Sequence, residues 1–228
     1  MDKKNTKQVA EQVTLNELAQ QLRCPSGEFG QQLGSSMHQS NLTMTQSAIA
    51  LLDISDGDSV LELGHGNAGH LKELLQQADN IRYRGLEISP LMYEQASLLN
   101  QPLTDDYDIE FGLYDGLTLP FADNEFDKIF SVNTLYFWQN PKQFMGELAR
   151  CLKVSGVLVL AYGQKEFMQT LPFIDMGFTL YEDNEVSELT ENTLLKISEF
   201  SHQQDKAISK TGDMVDRYFT VVKMVKSA

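Results

Sequence analysis

The sequence predicts an α/β fold, a doubly wound sheet of mostly parallel strands with helices on both faces. Short strand-like segments alternate with helix-like segments between about residues 54 and 163, as in chains built from repeated strand–helix units. The strand-like segments are apolar along most of their length, which is typical of strands buried on both faces. The first of them, Val60–Leu63, leads into the glycine pattern Gly64-x-Gly66-x-x-Gly69. A strand that turns on glycines into a helix brings backbone N–H groups to one point.

The N-terminal part reads as two helices separated by an irregular segment. Thr14-Leu-Asn-Glu17 has the form of a capping box and opens a helix through about Leu22. One proline and three glycines then predict a loop or a set of turns over 24–36. Thr43-Met-Thr-Gln46 is a second possible capping box, ahead of a helix that ends near Asp53. The residues that break the pattern between the helices are Pro25, Gly27, Gly30 and Gly34.

The remaining elements follow from hydrophobic periodicity and helix-start signals. Pro90 after Ser89 and Pro141 after Asn140 have the order of an N-cap followed by the first helical residue. The expected strands are 58–63, 81–87, 107–113, 127–133 and 156–162, and the expected helices are 68–78, 90–99 and 141–152. A short helix within 183–195 and two further strands, 194–200 and 217–226, complete the prediction. No internal repeat, low-complexity tract or linker divides the 228 residues, so we predict one domain.

Composition excludes several classes of function. The net charge of −14 argues against nucleic-acid binding, which needs clustered Lys and Arg, and against docking on an anionic membrane. No apolar segment approaches the roughly 18 residues that a spanning helix needs, and no signal peptide is evident. Two distant cysteines fit a reducing cytoplasm, which is the location we expect. The four histidines have no spacing that predicts a metal site.

Acidic residues follow the predicted strands at the edge where such sheets bind ligands. Glu87 ends the second strand and Asp115-Gly116 follows the third. A carboxylate after the second strand can accept hydrogen bonds from ribose hydroxyls, and Asp115 can accept one from an adenine amine. Glu62, two residues before Gly64, would repel a pyrophosphate but would suit a ligand that carries an ammonium group. These residues predict an adenosine site, and Glu62 favours S-adenosylmethionine over a dinucleotide.

Four motifs in order resemble those of class I S-adenosylmethionine-dependent methyltransferases, closest to the broad methyltransferase domain 11, UbiE-like group. The resemblance runs from about Asp58 to Gly163 and implies a Rossmann-like, seven-stranded sheet whose last strand is antiparallel to the others. The motifs are Glu62-Leu-Gly-His-Gly-Asn-Ala-Gly69, Glu87, Asp115-Gly-Leu-Thr-Leu-Pro-Phe121 and Phe126-Asp-Lys-Ile-Phe130.

The resemblance assigns a role in cofactor binding to individual positions. Gly64 and Gly66 would approach the methionine part of S-adenosylmethionine, and Glu62 would bind its amino group directly or through water. Glu87 would take the ribose hydroxyls, with Ile88 packed on the adenine. The remaining positions are Asp115 on the adenine amine with Gly116 beside it, Asn133 on the methionine side, and His65, which stands where the family often has a small or Cys-like residue.

The acceptor and its chemistry are less specified. No general base is evident, and Tyr136 and His38 are the weak candidates. The run Tyr136-Phe137-Trp138 either faces the substrate or plugs the rim of the sheet. Our hypothesis is that 24–42 forms a lid over the cofactor and, with 164–180, the substrate wall; a peripheral wrap is the alternative. We therefore divide the single domain into three parts. Residues 1–53 contain the N-terminal helices and the lid, 54–163 form the cofactor-binding core, and 164–228 form the substrate wall and the last strands.

The sequence therefore predicts a methyltransferase that acts on a small-molecule acceptor. A non-catalytic S-adenosylmethionine-binding protein would share the same cofactor residues. An NAD(P)-dependent oxidoreductase shares the glycine spacing, but Glu62 and the Asp115 motif count against it.

Overall fold

The computed structural model describes residues 14–208 and 214–228, and within them it contains seven strands and seven α-helices. The strands are β1 Ser59–Leu63, β2 Arg82–Glu87, β3 Asp108–Leu113, β4 Phe126–Val132, β5 Leu152–Gly163, β6 Leu195–Ile208 and β7 Met214–Lys226. The helices are α1 Leu15–Arg23, α2 Gly27–Leu52, α3 Leu71–Leu75, α4 Pro90–Asn100, α5 Pro141–Cys151, α6 Lys165–Met168 and α7 Asp183–Leu189. Two single 3₁₀ turns cover Gln101–Leu103 and Leu135–Phe137.

All seven strands form one sheet in the order β3-β2-β1-β4-β5-β7-β6. The first five strands in this order are parallel to one another, whereas β7 is antiparallel to both β5 and β6. This confirms the predicted fold, including the antiparallel last strand. The strand order reverses between β1 and β4, which is where an open α/β sheet leaves a crevice at its carboxyl edge.

Two hydrophobic cores cover the two faces of the sheet. On one face, α2, α3 and α4 pack through residues such as Leu52, Leu74 and Ala96. On the other face, α5 and α7 pack through residues such as Leu148 and Val186. Every residue of β1 is buried, as expected for the central strand of a doubly wound sheet.

The prediction of a loop or a set of turns over 24–36 is wrong from Gly27 onward. A continuous helix, α2, runs from Gly27 to Leu52, and Thr43–Gln46 lies inside it rather than at a cap. The glycines in α2 serve close packing, because a Cβ on Gly30 would lie 2.8 Å from the Pro25 carbonyl carbon and one on Gly34 would lie 2.6 Å from the Met92 side chain. The predicted end is confirmed, since Asp53 caps the helix with a left-handed backbone, φ 55°.

The other predicted elements are present, with shifted ends. The Thr14 capping box is confirmed by two hydrogen bonds, from the Glu17 N–H to Thr14 Oγ1 (3.2 Å) and from the Thr14 N–H to Glu17 Oε2 (2.8 Å). The largest difference is the β6–β7 hairpin, which is longer than predicted because its polar stretch alternates exposed and covered positions. No helix in the described ranges combines the length and the hydropathy needed to cross a membrane.

Candidate functional site

A cavity of about 390 Å³ opens at the carboxyl edge of the sheet. The ends of β1, β2 and β4 form its floor. Side chains of α2, of the segment 165–178, and of the end of the β6–β7 ladder that contains Ile208 and Val215 form its walls. All eleven residues that the sequence assigned to the cofactor and to the base candidates line this one cavity: His38, Glu62, Gly64, His65, Gly66, Glu87, Ile88, Asp115, Gly116, Asn133 and Tyr136.

The glycine turn, Gly64–Gly69, is shaped by close contacts. Gly64 has φ 71°, its N–H donates to the Leu86 carbonyl (2.8 Å), and a Cβ there would collide with the Thr134 methyl. Gly66 has φ 57° with open space around its Cα. Gly69 has no room for a side chain, because an added Cβ would lie 2.8 Å from His38 Nε2. Glycine is therefore needed at the first two positions for conformation and at the third for the approach of α2.

Glu87 links the glycine turn to the segment that follows β2. Its Oε2 accepts from the Gly66 N–H (3.0 Å), and its Oε1 accepts from the N–H groups of Ile88 (2.8 Å) and Ser89 (3.1 Å). The residue is 5% exposed. A carboxylate has about four acceptor positions, so these three bonds leave room for one further donor, on Oε2.

Glu62 is buried with two donors beneath the glycine turn. Its Oε2 accepts from His70 Nε2 (2.9 Å) and from the Tyr83 hydroxyl. Burial raises the pKa of the Glu62 carboxyl, but the attraction and hydrogen bond of His70 outweigh burial, so the pKa lies below its usual value. Burial likewise opposes the charged form of His70, yet Glu62 raises the pKa of this imidazole above its usual value. The two side chains therefore form a buried ion pair at the cavity edge.

His65 fills the space between the glycine turn and the next two strands. Its ring lies 4.9 Å from the Phe111 ring, and an added Cβ on Gly85 would lie 2.8 Å from its Cδ2. Nδ1 is 2.8 Å from the Gly66 carbonyl, so it carries the proton and donates. The buried Nε2 has no hydrogen-bond partner among the described residues. Burial lowers the pKa of His65, so its ring is neutral.

The adenine end of the predicted site is a turn held by Asp115. Asp115 is exposed, and its Oδ1 accepts from the N–H groups of Leu117 (2.8 Å) and Thr118 (2.9 Å). These backbone bonds lower the pKa of Asp115. The left-handed backbone of Gly116, φ 76°, keeps this turn close to Ile88, whose Cγ2 would lie 3.5 Å from a Cβ on Gly116. Asp115 and Gly116 thus line the same cavity as Glu87.

Tyr136 and Asn133 bridge the ends of β4 and β5. The Tyr136 hydroxyl donates to Asn133 Oδ1 (3.1 Å) and accepts from the Gly163 N–H. Asn133 has φ 59°, and its N–H donates to the Ala161 carbonyl (2.8 Å). Burial raises the pKa of Tyr136 far above neutrality. The hydroxyl is therefore protonated and engaged on both sides.

His38 projects from α2 over the glycine turn. Its ring is half-buried, 6.2 Å from the His70 ring and nearly parallel to it, at 22°. Within the described ranges it forms no hydrogen bond. Burial and the neighbouring His70 lower the pKa of His38, so the cavity faces a neutral imidazole. The described part of the chain contains no cluster of three His, Cys, Asp or Glu side chains that could hold a metal ion.

The far end of the cavity is apolar and aromatic. Phe178 packs against Phe137 (4.7 Å between centroids) and against Phe173 (5.6 Å), and Phe167 lies beside them. These four residues are named the aromatic wall. The sequence did not decide whether the run 136–138 faces the substrate or plugs the rim of the sheet. In the structure Phe137 is half-buried in the aromatic wall, while Tyr136 and Trp138 are buried but also line the cavity. The run is thus both a plug and a surface of the cavity.

One charged pair at this end was not found from the sequence. Arg217 donates to both carboxylate oxygens of Asp205 (3.0 and 2.5 Å) and to Asn41 Oδ1 (3.3 Å), and it lies over the Phe219 ring. Its side chain is 9% exposed and that of Asp205 is 11% exposed. Asp205 and Arg217 are direct cross-strand neighbours in the β6–β7 ladder. The hairpin register is the signal that pairs them, and only the folded hairpin supplies it.

Part of the chain is similar to a known protein family. Residues 61–160 match the sequence model of the methyltransferase domain family. A curated relative, methyltransferase GfsG of Streptomyces halstedii, is 31% identical over 120 residues, which are 52% of this chain and 42% of that protein. The chain thus spans less than half the length of this relative.

Solved structures share the fold over most of the chain. One lies in the complex between the Haloferax volcanii Trm112 methyltransferase activator and a methyltransferase, with a TM-score of 0.72, 22% identity, and coverage of 86% of this chain and 94% of that one. Another is a SAM-dependent methyltransferase from Aquifex aeolicus, with a TM-score of 0.64, 19% identity, and coverage of 86% and 96%. At these identities the likeness is one of fold.

Proposed function

We propose that this chain, whose residues 61–160 match the methyltransferase domain family, is a class I S-adenosylmethionine-dependent methyltransferase and that it methylates a small molecule with an apolar, uncharged body. S-adenosylmethionine supplies the methyl group on a sulfonium that is already activated, so the protein's work is to bind, orient and exclude water. The observation that carries the proposal is the buried Glu62 carboxylate beneath Gly64 and Gly66. It is charged, and it lies where a pyrophosphate would be repelled and an ammonium attracted.

The residues at the strand ends fit the cofactor. Glu62 would hold the ammonium, and the free position on Glu87 Oε2 would accept from a ribose hydroxyl. Ile88 would pack on the adenine, and Asp115 Oδ2 would accept from its amine. Oδ1 is held by two N–H groups of the turn, and Oδ2 accepts only from the Thr118 hydroxyl among the described residues, at 3.3 Å. Asn133 would close the methionine side. The buried, unpartnered Nε2 of His65 is a polar atom that such a ligand would lie beside.

The other end of the cavity fits the acceptor. The aromatic wall offers apolar contact, and the Arg217 charge is neutralised by Asp205. An uncharged, apolar acceptor makes few hydrogen bonds to water. It therefore loses little when it enters this apolar end of the cavity. Where the accepting atom is a hydroxyl or an amine, the neutral His38 is the proton acceptor we propose. Tyr136 is a positioning residue, because its protonated hydroxyl is held by Asn133 and Gly163.

The segment 24–42 supports a role as a wall of the site. It is helical from Gly27 onward, and His38 and Asn41 contribute to the cavity. Closure of this segment over the cofactor remains a prediction. Limited proteolysis with and without S-adenosylhomocysteine tests it: protection within 24–42 on binding is expected, and unchanged cleavage there would count against a lid.

The function is tested by calorimetric titration with S-adenosylhomocysteine and with NADH, followed by an acceptor screen that measures S-adenosylhomocysteine release. Binding of S-adenosylhomocysteine, and turnover with uncharged phenols or other apolar acceptors, are expected. Tight binding of NADH with no binding of S-adenosylhomocysteine would replace the proposal with an oxidoreductase. Binding without turnover on any acceptor would indicate a non-catalytic cofactor-binding protein.

A further inference from the structure

The side chain that holds Glu62 is itself ionisable. We propose that His70 is a positioning residue that presents the Glu62 carboxylate to the cofactor ammonium and loses its own proton when that ammonium binds. Cofactor binding then releases a proton from the protein. This inference rests on the proposed function, because it takes the ammonium of S-adenosylmethionine or S-adenosylhomocysteine as the ligand of Glu62.

The geometry makes His70 and the ammonium competitors for one carboxylate. His70 Nε2 and the Tyr83 hydroxyl both bind Oε2 of Glu62, so Oε1 has no donor among the described side chains. Glu62 and His70 are 2% and 4% exposed, yet both line the cavity. An ammonium that reaches Glu62 therefore approaches within a few ångströms of the imidazole, in a site where water screens charge weakly.

The charges around His70 explain why it holds a proton before the ligand arrives. Burial disfavours the imidazolium, but Glu62 on β1 outweighs burial, and Glu73 on α3 adds to its attraction, so the pKa of His70 is raised. Tyr83 on β2 keeps its proton, because burial raises the pKa of its hydroxyl. His38 on α2 and His65 on the glycine turn are neutral. From β4 the uncharged Phe130 ring faces it, at 6.4 Å.

A second cation at Glu62 reverses this balance. The ammonium takes over part of the attraction that stabilises the imidazolium and adds a repulsion, and both effects lower the pKa of His70. Tyr83 and the neutral His70 can still hold Oε2 in place. Because linkage is reciprocal, protonation of His70 must weaken cofactor binding. Affinity is expected to rise by up to about tenfold per pH unit, until the pH passes the pKa of His70 in the free protein, and then to level off.

The number of released protons tests the proposal on the full chain. Calorimetric titrations at pH 6.0, in buffers of different ionisation enthalpy, give this number for each ligand. At that pH the ligand's own amino group, with a pKa of about 8, stays protonated. S-adenosylhomocysteine carries the ammonium, whereas 5′-methylthioadenosine has the same adenosine without it. Release approaching one proton is expected with the first ligand and none with the second.

His70→Asn removes the titrating group but keeps a donor for Glu62. This variant is expected to bind S-adenosylhomocysteine, to release about one proton fewer than the wild type, and to lose the pH dependence of Kd. His202→Asn is the matched control, because His202 is an exposed histidine that is also paired with a carboxylate, Asp183. It should release as many protons as the wild type. A buried residue with a merely structural role would change Kd without changing the proton count.

NMR of the wild-type imidazoles decides the matter without any substitution. The ¹⁵N shifts of His70 should move from imidazolium to neutral values when S-adenosylhomocysteine is added at pH 6.0. If His70 stays an imidazolium in the complex, or if His70→Asn releases as many protons as the wild type, the inference is wrong while the proposed function stands. If the wild-type protein binds no S-adenosylhomocysteine, both are wrong.

Discussion

The two ends of the cavity are built on different principles. At the end next to Gly64 and Gly66, named the donor end after its proposed ligand, polar groups at adjacent strand ends hold one another: Glu87 binds three backbone N–H groups, and Glu62 binds His70 and Tyr83. At the end formed by the aromatic wall, named the acceptor end after its proposed ligand, aromatic side chains from separate elements surround an apolar space, and the Arg217 charge is neutralised by Asp205. The donor end is thus shaped for one polar ligand. The acceptor end excludes charge but specifies little else.

The buried ion pair at each end shows the same difference. Asp205–Arg217 joins a carboxylate to a guanidinium, which stays charged at any ordinary pH. Glu62–His70 joins a carboxylate to an imidazole, which changes its charge near neutrality. The first pair can only be made or broken by folding, whereas the second can respond to a ligand. Four experiments separate the two ends, from the largest expected effect to the smallest.

Breaking the acceptor-end pair should cost the most stability. Arg217→Met leaves Asp205 buried without a partner, and we expect a loss of about 3 kcal/mol in the free energy of unfolding, measured by urea denaturation. Replacing both partners, Asp205→Leu with Arg217→Met, should recover most of that loss. The control Arg84→Met breaks a pair with the exposed Asp108 and should cost less than about 1 kcal/mol. Equal losses in the two single variants would contradict the buried role of Arg217.

Adding one methyl group to the glycine turn should damage the donor end specifically. Gly64→Ala faces both an unfavourable φ and the Thr134 methyl, so we expect a loss of about 2 kcal/mol in unfolding free energy and much weaker S-adenosylhomocysteine binding. Gly57→Ala is matched, because Gly57 has φ 81° with nothing within 4 Å. It should lose only about 1 kcal/mol and keep its affinity. Equal affinity losses would remove the steric argument for Gly64.

Removing the Glu87 carboxylate, which we propose binds the ribose, should act mainly on cofactor binding. Glu87→Ala is expected to weaken S-adenosylhomocysteine binding by more than about tenfold, which corresponds to one charge-assisted hydrogen bond, and to loosen the glycine turn. The exposed strand residue Glu110 provides the control, Glu110→Ala, with unchanged affinity. Calorimetry measures both, and an unchanged affinity in Glu87→Ala would refute the ribose assignment.

The smallest effect is the pH dependence of stability from the Glu62–His70 pair. His70 has a raised pKa when folded, so its contribution is complete below its usual value of 6.5 and is lost as the pH rises through the folded pKa. Glu62 has a lowered pKa, so its contribution is complete above 4.5 and is lost as the pH falls through the folded value. The pair therefore stabilises most between about pH 4.5 and 6.5. Urea denaturation that extends beyond both ends of this range, where the contribution of the pair is lost, should show a flatter profile for His70→Asn. Identical profiles would contradict the pairing.

Local sequence patterns were sufficient to predict several strands and helices. The apolar runs of β1 and β4, the proline-started helices α4 and α5, and the Thr14 capping box all follow from residues close together in the chain. Local rules failed in α2, where Gly30 and Gly34 read as breakers. Their reason is the contact with Pro25 and Met92, which no local rule contains.

The sequence by itself determined the fold class, the approximate positions of the strands and the residues that line the cavity at the strand ends. Strand–helix alternation and a parallel sheet place Glu62, Glu87 and Asp115 on one edge wherever the chain folds. Only the tertiary structure decided which residues come into contact around the cavity: His70 lies beneath Glu62, His38 lies over Gly69, and Arg217 lies opposite Asp205. Such contacts join residues from different elements, and they depend on helix packing and hairpin register. Short-range sequence patterns do not encode either of these.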